Sequence, residues 1–203
     1  MTDQHADERS RQRDQLRVTS LRDQLLKLPL VSLSRDGVKE TQARMLSLLE
    51  QGGAAALDRA YPHAHFTASA FVCSPSGDLL ALHHRKLDRW LQPGGHIEPQ
   101  DDNPLSAALR EAREESGLND LTPLASHPID LDIHLIPARP NESEHAHYDV
   151  RYALLAPRPQ DAVVSEESHA LRWLSGDELS AWRMSEPSIE RAVNATLRLL
   201  KQL

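Results

Sequence analysis

LQPGGHIEPQDDNPLSAALREAREESGL, Leu91 to Leu118, sets a Gly-Gly turn just ahead of a helix that carries Arg110, Glu111, Glu114 and Glu115. The helix has clear ends. Asn103 suits the N-cap, Pro104 the first turn and Gly117 the C′ position. At 100° per residue, Glu115 lies about 40° from Glu111, and Glu114 about 60° on its other side, so the three carboxylates share one stripe. Leu105, Ala108, Leu109 and Ala112 centre about 110° around the helix and make a separate apolar face. The helix is therefore fastened by one face and presents its acids on another.

Helix energetics alone do not favour that stripe. Glu111 and Glu115 repel at i,i+4 by a few tenths of a kcal/mol. Glu114 and Glu115 occupy the last turn, where the helix dipole disfavours anions. Arg110 is the nearby counter-charge, with Arg113 further round. A solvated charged face is one reading. The other is a hard divalent cation, and oxygen-only ligands of this kind suit Mg²⁺ or Mn²⁺, which share themselves with substrate phosphates.

At these residues the sequence resembles the Nudix hydrolases. Their signature runs Gly, five residues, Glu, seven residues, Arg-Glu, an aliphatic, any residue, Glu-Glu, any residue, Gly, aliphatic. Gly95 begins it here, and REAREESGL supplies Arg110, Glu111, Glu114, Glu115, Gly117 and Leu118 in register. Three positions depart. The loop HIEPQDD makes the stretch from Gly95 to Arg110 one residue longer. The loop acid is Asp102 counted back from Arg110, or Asp101 counted forward from Gly95. Ala112 stands where a larger aliphatic is usual.

The resemblance implies an α/β/α sandwich with a mixed central sheet, here with an N-terminal helical extension (residues 1–60) ahead of the hydrolase domain (61–203). It implies a Mg²⁺-dependent pyrophosphohydrolase, with Mn²⁺ as the alternative ion, cleaving a nucleoside diphosphate linked to another moiety by attack of water at phosphorus. Glu111, Glu114 and Glu115 would hold metal with the backbone carbonyl of Gly95, and a further Glu comes from a later loop. SEESHALRW offers Glu166 and Glu167, with Glu167 preferred. The general base is Glu111 or Glu167, and Arg110 orients the acids.

The rest of the chain agrees with such a class. Of 203 residues, 39% are apolar and 26% charged, the composition of an ordinary globular domain that can bury a core. The net charge of -7 argues against wrapping nucleic acid. A single cysteine, Cys73, fits a reducing cytoplasm. No run approaches the roughly 20 apolar residues that span a bilayer. Residues 1 to about 15 are polar and expected to fray. Leucines recur from Leu16 to Leu28, Pro29 stops them, and a second helix runs from about Lys39 to Leu49. These helices pack on the domain C-terminal to them or offer a homodimer surface. FTASAFVCS and LLALHH, joined by PSGD, read as a hairpin. PIDLDIHLI, HAHYDVRYALL and ALRWL are further strands. SGDE, at Ser175, is a capping-box pattern, and Ile189, Val193, Thr196, Leu197 and Leu200 stripe the last helix. Strands and helices in this order indicate an α/β sandwich.

The histidines number eleven. Alternation puts Asp130, Asp132 and His134 on one strand face, and His145, His147, Asp149 and Arg151 on one face of another. If both faces lie on one side they build a polar wall. His134, His147 and Arg151 are then candidates to contact a nucleotide-type diphosphate, a second metal being the other use. A solvent-facing sheet is the plain alternative. His96 could touch the metal's water shell, and Trp90 could stack a base or simply pack. Two rival functions remain. One is a Nudix-fold nucleotide sensor without chemistry, whose mark would be a broken Glu set. The other is an isoprenoid-diphosphate isomerase, for which Cys73 in an apolar strand is a poor nucleophile. His134 stands where a subfamily-marking residue would be, and assigns no substrate.

Overall fold

The computed structural model describes residues 2–28, 37–140 and 142–203, with side chains from residue 7 onward. In chain order the elements are α1 (Thr2–Leu26), α2 (Val38–Gly52), β1 (Ala64–Cys73), β2 (Leu79–His84), β3 (Arg89–Leu91), β4 (Gly94–His96), α3 (Pro104–Ser116), β5 (Thr122–Pro123), β6 (Asp130–Ile136), β7 (His145–Leu155), β8 (Ser168–Leu174), α4 (Gly176–Arg183) and α5 (Pro187–Leu200).

From His65 to Cys73 every residue of β1 is buried, the pattern of a strand covered on both faces. Its neighbour is β7, paired in parallel from Ala64↔Ala146 to Cys73↔Leu155. The other pairings among the described residues are antiparallel, so the sheet is mixed. Parallel neighbours need a crossover, and this one carries β2 to β6 and α3. The sheet also forks. β4 takes Thr67 to Ser69 on one edge of β1, while β2 meets β1 only at Cys73↔Leu79. The expected hairpin makes its turn, with Ser74 N–H donating to the Asp78 carbonyl at 2.9 Å. It then opens, because β2 is taken up by β8 and β3.

The two faces of β1 lead to two cores. Phe66, Ala68, Ala70 and Val72 pack with Leu21 and Leu25 of α1, Met45 and Leu49 of α2, and Ala107, Ala108 and Ala112 of α3. Phe71 and Cys73 pack with Trp182 of α4 and Ile189, Ala192 and Val193 of α5. On this second face the first half of β1 is instead polar: His65, Thr67 and Ser69 are all buried.

Element ends follow local chemistry. Asn103 accepts from Ser106 N–H and the Ser106 hydroxyl accepts from Asn103 N–H, closing a capping box on α3, and Gly117 takes the left-handed C-cap at φ 71°. The capping box expected at Ser175 does not form. Ser175 is the N-cap of α4 without a side-chain bond, and Glu178 is drawn to Arg172 at 3.2 Å. The polar residues before Leu16, expected to fray, belong to α1. Asp7 pairs with Arg11 one turn on at 2.7 Å, and Arg13 and Arg17 reach the loop ahead of α3. The stop expected at Pro29 lies outside the described residues.

Arg17 is 7% exposed, and its guanidinium donates to the carbonyls of Asp101 (3.0 Å) and Glu98 (2.9 Å). Arg17→Ala should therefore destabilise the chain by about 2–3 kcal/mol, the loss of two charge-assisted bonds, after which the Glu98 carbonyl keeps its bond from Asp101 N–H at 3.0 Å. In a thermal melt that is a fall of roughly 5–10 °C, whereas Arg11→Ala at the exposed Asp7 pair should leave the midpoint within experimental scatter.

Candidate active site

The three acids of α3 are not equivalent. Ala107, Ala108 and Ala112 hold the helix against the sheet, and this rotation turns Glu115 inward to 7% exposure while Glu114 keeps 59% of its side chain in solvent. Glu111 is half-buried between them. Glu115 Oε2 accepts from Gly94 N–H at 2.8 Å, which fastens α3 to the Gly-Gly segment of β4. Both glycines are required by close approach. A Cβ on Gly94 would lie 2.4 Å from the Ser69 Cβ, and one on Gly95 would lie 2.5 Å from Glu111 Oε1.

Arg110 bonds to two of the acids. Nη1 donates to Glu111 Oε1 (2.9 Å) and Glu114 Oε2 (3.1 Å), and Nη2 to the His96 carbonyl (2.8 Å) and Asp101 Oδ2 (2.9 Å). Burial works against this charge, yet Asp101 and Glu111 hold its pKa above the ordinary value. The loop acid is Asp101. It is buried, pairs with Arg110 and accepts from Glu98 N–H at 2.8 Å. Asp102 points to solvent, where it meets Arg13 at 3.2 Å. Counting forward from Gly95 thus finds the paired acid, and the extra residue falls between Asp101 and Arg110.

Burial pushes Glu115 up to about 8, opposed by Gly94 N–H and reinforced by Glu111, Glu167 and Glu114. Burial also pushes Glu111 up to about 7, opposed by Arg110 and reinforced by Glu114 and Glu167. These acids carry more negative charge than Arg110 offsets. With donors that are all oxygens and a glycine where a Cβ would fill the space, the site fits a hard divalent cation. Glu167 sits in the exposed turn before β8, where its backbone carbonyl accepts from Arg85 N–H at 3.1 Å. Its charge reaches Glu111 and Glu115.

The polar wall forms. In the β6–β7 register His134 faces His147, Asp132 faces Asp149 and Asp130 faces Arg151. Most of it is buried, unlike a solvent-facing sheet. Arg151 is 3% exposed and surrounded by Asp149 (3.0 Å), Asp132 (2.9 Å) and Asp130 (3.6 Å), so its charge is committed inside the protein. Arg191 of α5 reaches Asp130 at 3.1 Å. His134 remains the more open ring, held by Asp132 at 3.2 Å. The histidine end of the wall gathers His65, His96, His145 and His147, with ring centroids 4.9–5.3 Å apart. Burial, then the neighbouring rings, lowers His65 to about 4. Burial and the same crowding lower His147 to about 2. Trp90 packs rather than lying free: it stacks on His83 at 5.0 Å, and Arg172 lies over its ring at 5.2 Å.

The family model described as the NUDIX domain matches residues 63–194. The chain belongs to the NUDIX family. A NUDIX relative, a probable DHNTP pyrophosphohydrolase of Lactococcus lactis subsp. cremoris (strain MG1363), is 30% identical over 130 residues, covering 63% of this chain and 75% of the relative. In fold the chain is similar to a C. elegans Ap4A hydrolase in a binary complex (TM-score 0.52, 20% identity, 68% of this chain and 98% of that one). It is likewise similar to the E. coli dihydroneopterin triphosphate pyrophosphohydrolase (TM-score 0.50, 18% identity, 68% and 96%). With the NUDIX glutamates in register, this is a hydrolase of phosphoanhydride bonds. The match begins after α1 and α2, so the arginines that clasp the NUDIX loop come from outside it. Reading the sequence did not single out His65, because its partner His147 lies across a parallel pairing that no local pattern announces.

Gly95→Ala tests the close approach. The new methyl would displace the Glu111 carboxylate that Arg110 holds, so the fold should persist at a cost of about 1–3 kcal/mol. Hydrolytic turnover should nonetheless drop by about 10²-fold, the cost of roughly 1 Å of misplacement at a reacting centre.

Proposed function

We propose that the chain is a Mg²⁺-dependent pyrophosphohydrolase, with Mn²⁺ as the alternative ion, that cleaves a nucleoside diphosphate linked to another moiety by attack of water at phosphorus. The observation that carries this reading is the convergence of Glu111, Glu114 and Glu115 beside Gly95, under one arginine whose charge they exceed. Glu111, Glu114, Glu115 and Glu167, with the Gly95 carbonyl, would hold the ion. When bound, it would neutralise the phosphate oxygens and make a water more acidic.

The remaining roles belong to the chain. Glu111 is the first choice of general base, since it lies against Gly95 at the centre of the acid cluster. Glu167 is the second. Arg110 keeps Glu111 and Glu114 at fixed spacing and ties them to the His96 carbonyl, which holds the loop against β4. His134, at the open end of the wall, is placed to contact the substrate's polar groups. Arg151 would act on that contact only through Asp132, which it shares with His134. The single cysteine, Cys73, is a free thiol, which suits a reducing cytoplasmic setting, and the α1–α2 surface is the proposed place for a homodimer contact. No described helix is long and apolar enough to cross a membrane.

The Lactococcus relative's name puts dihydroneopterin triphosphate at the head of a substrate panel. It would continue with ADP-ribose, NADH, sugar nucleotides, diadenosine polyphosphates and nucleoside triphosphates. Turnover should require Mg²⁺ or Mn²⁺. Glu111→Gln should lower kcat by about 10²–10⁴-fold, the range for loss of a general base, and Glu114→Gln should raise the metal concentration needed for half-maximal rate. Ligand binding without any turnover would move the protein to the sensor class.

A further inference from the structure

We propose a second metal site of different chemistry, formed by His65, His96 and His147 and selective for a borderline transition ion of the Zn²⁺ type. The site does not depend on which substrate the carboxylates serve. The strand register builds it. His65 and His147 are Cα partners in the parallel β1–β7 pair, and His96 is brought alongside by the antiparallel β4, where it faces Thr67. Alternation along β4 sends Gly95 toward Glu111 and His96 to the opposite face, so the histidine site and the acid site lie on two sides of one short strand. One ligand atom from each ring lies within 4.8 Å of the others. A tetrahedral ion with Zn–N bonds of about 2.0–2.1 Å needs nitrogens about 3.3 Å apart, so the three rings would draw together on binding.

Burial indicates that something is meant to be bound. His65 is 2% exposed, and neither of its ring nitrogens has a partner at hydrogen-bond geometry, although the Tyr61 backbone acts to raise its pKa. His96 Nε2 is likewise buried and unpartnered. Buried polar atoms are almost always satisfied, and here three on two adjacent rings are not. An imidazole nitrogen without a hydrogen-bond partner offers its lone pair to a cation. Mg²⁺ prefers oxygen and keeps its waters, whereas imidazoles suit Zn²⁺ and its neighbours. His145 completes the surroundings. Its Nδ1 is 2.8 Å from the Ser143 carbonyl and its Nε2 is 3.2 Å from His147 Nε2, so it is an outer partner that orients the His147 ring. Three protein ligands leave a fourth position for water or a substrate oxygen.

The test is metal titration of the full-length chain after chelator stripping, in a large excess of Mg²⁺. Zn²⁺ is followed by competition with a chromophoric chelator, and Co²⁺ by its visible ligand-field absorption. One equivalent of each should bind despite the Mg²⁺, with Co²⁺ giving the intense bands of a low-coordinate nitrogen site. His65→Gln and His96→Gln should each weaken binding by more than the roughly 10–100-fold that loss of an outer partner costs, while Glu114→Gln should leave it unchanged. Independently of any variant's folding, the imidazole ¹⁵N resonances of the three rings in the wild-type chain should shift on adding Zn²⁺. Weak binding displaced by Mg²⁺ would overturn the proposal. So would binding lost in Glu114→Gln but kept in the histidine variants, or histidine resonances that do not move.

Discussion

A single close approach underlies the site: β4 is wedged between β1 and α3 where only glycine fits. Gly94 sits against Ser69 with no room for a side chain, and Gly95 sits against the Glu111 carboxylate, which any side chain there would displace. Glu115 can therefore accept directly from the Gly94 backbone, and the helix lies close enough to the sheet for its acids to lose much of their water. The raised pKa values of Glu111 and Glu115 result from that loss of solvent. A strand with ordinary side chains would hold the helix away and leave the acids as a hydrated surface.

Arg110 and the loop before α3 are the second layer of control. The guanidinium touches two of the acids, the loop acid and a β4 carbonyl, so the positions of all four are coupled. The loop is gripped from its far side by Arg13 and Arg17 of α1. The N-terminal helices share one hydrophobic core with α3 and the sheet. They are thus part of the support for the site.

Much of this was legible in the sequence. Asn103, Pro104 and Gly117 delimited α3 by local backbone chemistry, and the acid stripe came from its period. Strand positions were visible in alternation, and the polar wall of β6 and β7 needed only its register. Other features depend on contacts distant in the chain. The parallel pairing of β1 with β7 has no local signal, and with it went His65 and the burial of Arg151. Asp101 and Asp102 are adjacent and chemically alike, and only the packing of Arg110 separates them. The capping pattern at Ser175 misled because Arg172 competes for Glu178. The polar start of α1 gained partners, through Arg13, from a loop more than eighty residues away.

The parallel β1–β7 pair also sets the order in which the molecule can assemble. β1 ends at Cys73 and β7 begins at His145, so the central pairing closes a long intervening stretch that includes α3. Contacts so distant are slow to form. On a ribosome, β1, β4 and the acid-bearing helix would all exist well before β7 emerges. His65 and His147 meet only once that last central strand has been made, so a nascent chain carries its acid helix before it has a histidine cluster.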